Sequence, residues 1–140
     1  MVDTSSRSEN IPIDFYTSNR IIKWQVDASR IRKWYGTLDR PTRESVAAAI
    51  DLLSEQGPNL KRPFVGEVQS SRFPNMKELR PASPGGTELR ILFAFDPLRH
   101  AILLLAGDKQ GRWRKWYQRA VPQADRLYQE HLDSLNKEAR

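Results

Sequence analysis

From residue 88 to residue 106 the chain alternates in a way that admits little besides a β-hairpin. Leu89, Ile91, Phe93 and Phe95 fall on one face of an extended segment, and Glu88, Arg90, Leu92 and Ala94 on the other. Asp96-Pro97 supplies a turn, and residues 100–106 then run apolar on both faces, as an inner strand would. A shorter extended segment over 76–81, interrupted by Pro81, precedes the pair across the turn residues Pro84-Gly85-Gly86. The three strands read as an antiparallel meander.

The flanking sequence supplies helices. Ile22, Trp24 and Val26 alternate with Ile21, Lys23 and Gln25 as a first strand, and Asp27 suits a helix N-cap. Ala28, Ile31, Trp34 and Tyr35 follow at helical spacing until Gly36. Val46, Ala49, Ile50 and Leu53 share one face of a second helix over 41–56, stopped by Gly57-Pro58. Residues 57–74 hold three prolines and two glycines and read as a structured loop. A last helix is expected from Pro122 onward, where Ala124, Leu127, Tyr128, His131 and Leu135 line up and proline is tolerated in the first turn. The expected order is β-α-α-β-β-β-α, an α+β domain with a small antiparallel sheet and its helices packed on one face. Residues 1–20 read as a flexible arm and 21–138 as a single domain.

Composition narrows the chemistry. The 140 residues include no cysteine, so thiolate metal sites, disulfides and cysteine nucleophiles are excluded. The only histidines are His100 and His131, the latter on the apolar stripe of the last helix, which is ordinary packing; a three-histidine metal site is impossible. The inventory calls for no metal and no cofactor. No apolar run approaches the roughly 18 residues of a membrane span, and the polar start MVDTSSRSEN does not read as a secretory leader. The expected setting is the cytoplasm, without a membrane partner. The formal net charge of +6 points to a polyanionic partner, nucleic acid ahead of lipid.

Two stretches place cations where chemistry could use them. In MKELR, Glu78 and Arg80 point to one side of a strand, with Lys77 and Leu79 on the other. A hairpin register setting Arg80 near Arg90 is available; such a like-charge pair would need Glu78 or Glu88 beside it, or an anion between the two arginines. In GDKQGRWRKWYQR, Lys109, Arg112, Arg114, Lys115 and Arg119 alternate with Trp113, Trp116 and Tyr117. Cations contact phosphates while aromatic faces stack on bases, a mixture suited to splayed or single-stranded RNA, although tryptophan here also serves to pack a helix on a sheet. RNA cleavage without a metal fits this inventory. The substrate's own 2′-hydroxyl attacks, arginine and lysine stabilise the charged phosphorane, and Glu78, a desolvated lysine or Tyr117 could move the protons. Cations on the polar face of a sheet contribute little to packing, since exposed ion pairs are worth only about 0–1 kcal/mol, so removing Arg80, Arg90 or Lys109 is expected to spare the fold.

The run MKELRPAS…TELRILFAFDP, then ILLLAGDKQGRWRKWY and VPQADRLYQEHL, with GPNLKRPFVGEV upstream, resembles the HigB-like, phage-associated branch of the RelE toxin superfamily over about residues 22 to 135. The resemblance implies a RelE-like fold, a helix-turn-helix (HigA-like) antitoxin as partner, and cleavage of messenger RNA, often on the ribosome. It implies catalytic roles for Arg80, Arg90, Lys109 and an aromatic at Tyr117, or at Trp116 if the alignment slips by one. Glu78, also a catalytic candidate, stands where better-studied members carry a lysine. Lys77, Arg112, Trp113, Arg114, Lys115, Trp116 and Arg119 are the expected RNA contacts. ParE-like members of the same superfamily inhibit DNA gyrase instead, and a non-catalytic nucleic-acid-binding module is a further alternative.

Overall fold

The three strands read from the alternation above meet in an antiparallel ladder. The structure, a computed structural model, describes residues 24–139; the expected arm over 1–20 and the first half of the expected opening strand lie outside the described residues. The strands are β1 (Val26–Asp27), β2 (Val65–Glu67), β3 (Lys77–Leu79), β4 (Leu89–Phe95) and β5 (Ala101–Asp108), in the sheet order β1-β5-β4-β3-β2. β4 pairs antiparallel with both β3 and β5, and β2 adds an antiparallel edge to β3. Short β1 runs parallel to β5, with Val26 opposite Ala101, so the sheet is mixed where an antiparallel one was expected.

The helices are α1 (Arg32–Gly36), entered through a 3-10 turn at Ser29–Ile31, α2 (Arg40–Gln56) and α3 (Trp113–Glu138). The Asp27 carboxylate accepts hydrogen bonds from the Ser29 amide and hydroxyl at 3.0 and 2.7 Å, which fixes the entry into that turn. Asp39 caps α2 by accepting from the Thr42 amide at 3.0 Å.

The α+β assignment holds, but the helices do not share one face. Leu89, Ile91, Phe93 and Leu103 pack against Ile31, Tyr35, Val46, Ile50 and Leu53 of the α1–α2 side. Leu92, Ala94, Ile102 and Leu104 pack against Ala120, Val121, Ala124 and Tyr128 of α3. The cause is visible in β4 and β5, whose residues are apolar on both faces and therefore need cover on both. At about 1.5–3 kcal/mol per buried aliphatic or aromatic side chain, either face left bare would cost more than a domain's net stability. A bulge serves the same end: Leu92 lies opposite Leu105 but Phe93 opposite Leu103, leaving Leu104 as the extra residue.

Two other expectations change. The loop over 57–74 contains the edge strand β2. α3 begins at Trp113, so Pro122 lies inside the helix and not at its start. Proline removes the hydrogen bond to the carbonyl of Gln118, and both residues are exposed, so water can take the place of the missing donor. His131 is structural: its Nε2 lies 2.7 Å from Oδ2 of the buried Asp96, whose Oδ1 accepts from the amides of Leu98 and His100 at 3.0 and 2.9 Å. This pins the β4–β5 turn to α3. Among the described residues no helix is long and apolar enough to cross a membrane.

Candidate active site

The register of β3 and β4 determines which polar groups meet. Glu78 lies opposite Leu92, and Leu79 opposite Ile91, so the next pair outward is Arg80 and Arg90. Both arginines share the α3 face of the sheet with Glu78. The like charges are held together by Glu78, 4% exposed: Arg80 Nε donates to its Oε2 at 2.9 Å and Arg80 Nη2 lies 2.8 Å from the same oxygen. Arg90 Nε stands 3.6 Å from that oxygen, an ion pair too long for a hydrogen bond, and is buried without a hydrogen-bond partner among the described residues. Its Nη1 donates to the Leu89 carbonyl at 2.7 Å.

From above, α3 contributes Tyr117, whose hydroxyl donates to Glu78 Oε1 at 2.5 Å. Burial first, then the hydrogen bond and charge of Glu78, push the phenol pKa well above its ordinary value, with Arg90 pulling weakly the other way. The phenol is a proton donor throughout the physiological range. The unfolded chain ionises this tyrosine near pH 10, while the folded one does not. Above that pH the unfolded state binds fewer protons, so stability falls as pH rises. Tyr117→Phe should flatten that alkaline fall, as read from urea midpoints of parent and variant across the range.

Two glycines give the arginine row its space. A Cβ at Gly66, opposite Glu78 on β2, would lie 2.3 Å from Arg80 Nη2. A Cβ at Gly107, opposite Arg90 on β5, would lie 2.5 Å from the Trp116 indole nitrogen. Trp116 thereby seats the start of α3 on the sheet and packs among its apolar residues. Gly66→Ala should displace the flexible end of Arg80 while leaving the backbone in place. The expected outcome is little change in melting temperature, because the new methyl meets only the far end of a flexible side chain. A large drop in melting temperature would instead make Gly66 a scaffold requirement.

Because α3 starts at Trp113, the basic–aromatic stretch is helical and its residues separate onto two sides. Trp113, Arg114, Tyr117 and Gln118 line a cleft of about 390 Å³ together with Glu78, Arg80 and the β2–β3 segment Glu67 to Ser70. Arg112, Lys115, Trp116 and Arg119 surround a smaller one of about 110 Å³ beside Asp108. Trp113 is 53% exposed, with the Arg114 guanidinium 5.2 Å from its ring centre. No side chain caps α3 and no acidic residue stands in its first turn. Cations crowd the positive end of a helix dipole, an arrangement that an anion would relieve.

Lys109 lies one step outside this cluster. Its amide donates to the Glu88 carbonyl at 3.0 Å and its Nζ sits 3.5 Å from the Glu88 carboxylate. Lys77 is not brought in: alternation turns it to the opposite face, across from Phe93, and it pairs with Glu67 at 4.0 Å. The sequence did not point to Gly66 or Gln118 as part of the site. A glycine within a strand does signal close approach of a neighbour, but β2 was too short to be recognised as one. Among the described residues no group of three His, Cys, Asp or Glu side chains could hold a metal ion.

The mixed sheet sandwiched between helices, with a carboxylate-bridged arginine pair beneath a basic helix start, is an α+β fold consistent with a RelE-like toxin. The chain belongs to the phage-derived Gp49-like family, whose profile matches residues 33–129. It is 53% identical over 111 residues to a Mycobacterium tuberculosis protein provisionally named toxin HigB2, a match covering 79% of this chain and 55% of that protein. A second protein of that organism, provisionally named toxin HigB3, is 52% identical over 105 residues, covering 75% of this chain and 90% of its own length. The chain thus spans about half the length of the first relative and nearly all of the second. No solved structure matches it.

Proposed function

We propose that this chain is the toxin of a toxin–antitoxin pair and acts in the cytoplasm as a metal-independent endoribonuclease on messenger RNA, with a helix-turn-helix antitoxin as its partner and the ribosome as the place of cleavage. One observation carries the catalytic part: Arg80 and Arg90 converge on a single buried carboxylate that also holds a protonated Tyr117, at the wall of an open cleft. The toxin names of the two relatives support the toxin–antitoxin part of the reading.

In this mechanism the substrate phosphate approaches the arginine pair, which the carboxylate holds in readiness. The 2′-oxygen bonds to phosphorus as the bond from phosphorus to the 5′-oxygen breaks. Glu78 takes the proton of the 2′-hydroxyl, Tyr117 gives its own to the departing 5′-oxygen, and the hydrogen bond between the two returns a proton to the phenol. Arg80 and Arg90 stabilise the extra charge on the phosphorane. Lys109 offers a further cation to the flanking backbone, and Trp113 a face on which a base can stack.

The test uses purified protein and a single-stranded RNA, or translating ribosomes where free RNA is not cut. Cleavage should be undiminished in EDTA and should leave a 2′,3′-cyclic or 3′-phosphate end, and a 2′-deoxy substitution at the scissile nucleotide should block it. Activity lost on chelation and restored by magnesium would sink the mechanism. Intact RNA accompanied by markers of DNA damage would favour gyrase inhibition instead.

A further inference from the structure

Among the described residues three large apolar side chains stand exposed: Phe64, Leu98 and Trp113. Leu98 belongs to the β4–β5 turn, at the end of the sheet away from Arg90. Trp113 and Phe64 both belong to the end that carries the arginines, and Trp113 lines the cleft. Phe64, 47% exposed, is not used by the mechanism above.

Its position is set by the same register that builds the site. Val65 lies opposite Leu79, so the next pair outward is Phe64 and Arg80, and the Arg80 amide donates to the Phe64 carbonyl at 2.8 Å. Phe64 is the turn residue that enters β2, two positions before Gly66, over which the Arg80 guanidinium lies. One row across the sheet therefore reads Phe64, Arg80, Arg90, Gly107, and Trp116 covers Gly107. At about 4.8 Å between strands, that row extends roughly 14 Å, room for a short run of nucleotides. The turn before Phe64 is closed by the amides of Phe64 and Val65, both donating to the Lys61 carbonyl, at 3.0 and 3.2 Å. It presents Lys61 and Arg62, both exposed, beside the ring. An exposed apolar side chain alone is unremarkable. An exposed aromatic in line with two arginines, with two more cations in its own turn and a second exposed aromatic at the cleft, repeats the pattern of cations and stacking faces by which proteins track single strands.

We propose that Phe64, Lys61 and Arg62 form a second nucleotide subsite on the β2 side of the cleft, with Phe64 stacking on a base and the two cations holding the adjoining phosphate of single-stranded RNA. The proposal rests on the reading of the cleft as an RNA site. It makes the β2 edge a determinant of how many nucleotides the protein grips and of which end of the substrate extends past Arg80.

The experiment measures anisotropy of labelled RNA oligonucleotides carrying a 2′-deoxy scissile nucleotide, lengthened one nucleotide at a time on either side. For the parent, affinity should rise as one particular side is extended. Phe64→Ala should abolish that rise, binding the extended oligonucleotide about ten-fold more weakly and the short one as the parent does. Lys61→Ala combined with Arg62→Ala should flatten the salt dependence with the extended oligonucleotide only. Leu98→Ala should match the parent on both. If Phe64→Ala binds every length as the parent does, the subsite does not exist and the exposed ring serves a protein contact. If the parent binds no RNA at any length, the cleft reading itself fails and takes this one with it.

Discussion

Under the mechanism proposed above, Arg90→Ala is expected to slow RNA cleavage by two orders of magnitude or more and, in the same variant, to lower the melting temperature measurably. The first effect follows from removing a fixed cation from the developing phosphorane charge, worth about 3 kcal/mol, or some hundred-fold in rate. The second departs from what strand alternation alone suggests. The sequence places Arg90 on a polar face, where its loss should cost almost nothing. In the folded protein that face lies under α3, the Arg90 side chain is only 16% exposed, and it neutralises a carboxylate that is 5% exposed. Removing one partner of a buried pair costs about 3–5 kcal/mol where nothing else compensates. Here Arg80 and the Tyr117 hydroxyl still serve Glu78, so a loss of about 1–2 kcal/mol is expected. Arg90→Lys should keep part of the stability but less of the rate, because a point charge cannot reproduce the planar fork. The two effects separate when cleavage is measured well below the lowest melting temperature of the set. Parent-level cleavage by folded Arg90→Ala would move the active site elsewhere, first to the stretch from Arg112 to Tyr117.

How much of this was legible in the sequence depends on how much a local pattern decides. β4 and β5 were, because seven or more residues of alternation or continuous apolarity admit one reading. α2 was legible through its apolar stripe and the Gly57-Pro58 stop, whereas the register that opposes Arg80 and Arg90 was one of those available and is selected by the observed β3–β4 pairing. β2 was not: three residues, one of them Gly66 and with Pro63 just upstream, show neither a period nor an apolar run. Its strand character comes from β3, which offers an unpaired edge. The start of α3 was misplaced because proline was read by its preference for first turns. A long helix carrying that proline on its wet side tolerates it, and the nine residues before Pro122 become helical (Trp113 to Val121). That shift matters most for the site, since it turns a basic loop into two helix faces and brings Tyr117 down onto Glu78. Burial of the arginines could not be seen either, because it depends on α3 covering the second face of the sheet. The apolar residues Leu92, Ala94, Ile102 and Leu104 announced that face; its occupant followed only from the fold.

Phe93→Ala should give the complementary result, a large loss of stability with cleavage by the folded fraction preserved. Phe93 is fully buried on the α1–α2 side, at the middle of β4, and its ring meets Phe95 edge-on at 5.6 Å. Truncation removes a large apolar surface and leaves a cavity that strands on both sides prevent from collapsing, so about 3–5 kcal/mol is expected. For a domain of this size that corresponds to a fall of roughly 10–20 °C in Tm. The arginine pair sits on the opposite face, and the backbone register that sets it is held by ladders which this side chain does not join. At a temperature where the variant is still folded, kcat/KM should therefore stay close to the parent's, the opposite of the Arg90 pattern. The measurement is a thermal melt beside cleavage assays at several temperatures. If cleavage falls in step with Arg90→Ala while the protein remains folded, the two faces of the sheet are mechanically coupled and the division between scaffold and site drawn here is wrong. If Tm hardly changes, the α1–α2 cluster is not what holds the sheet together, and the α3 face must carry most of the stability.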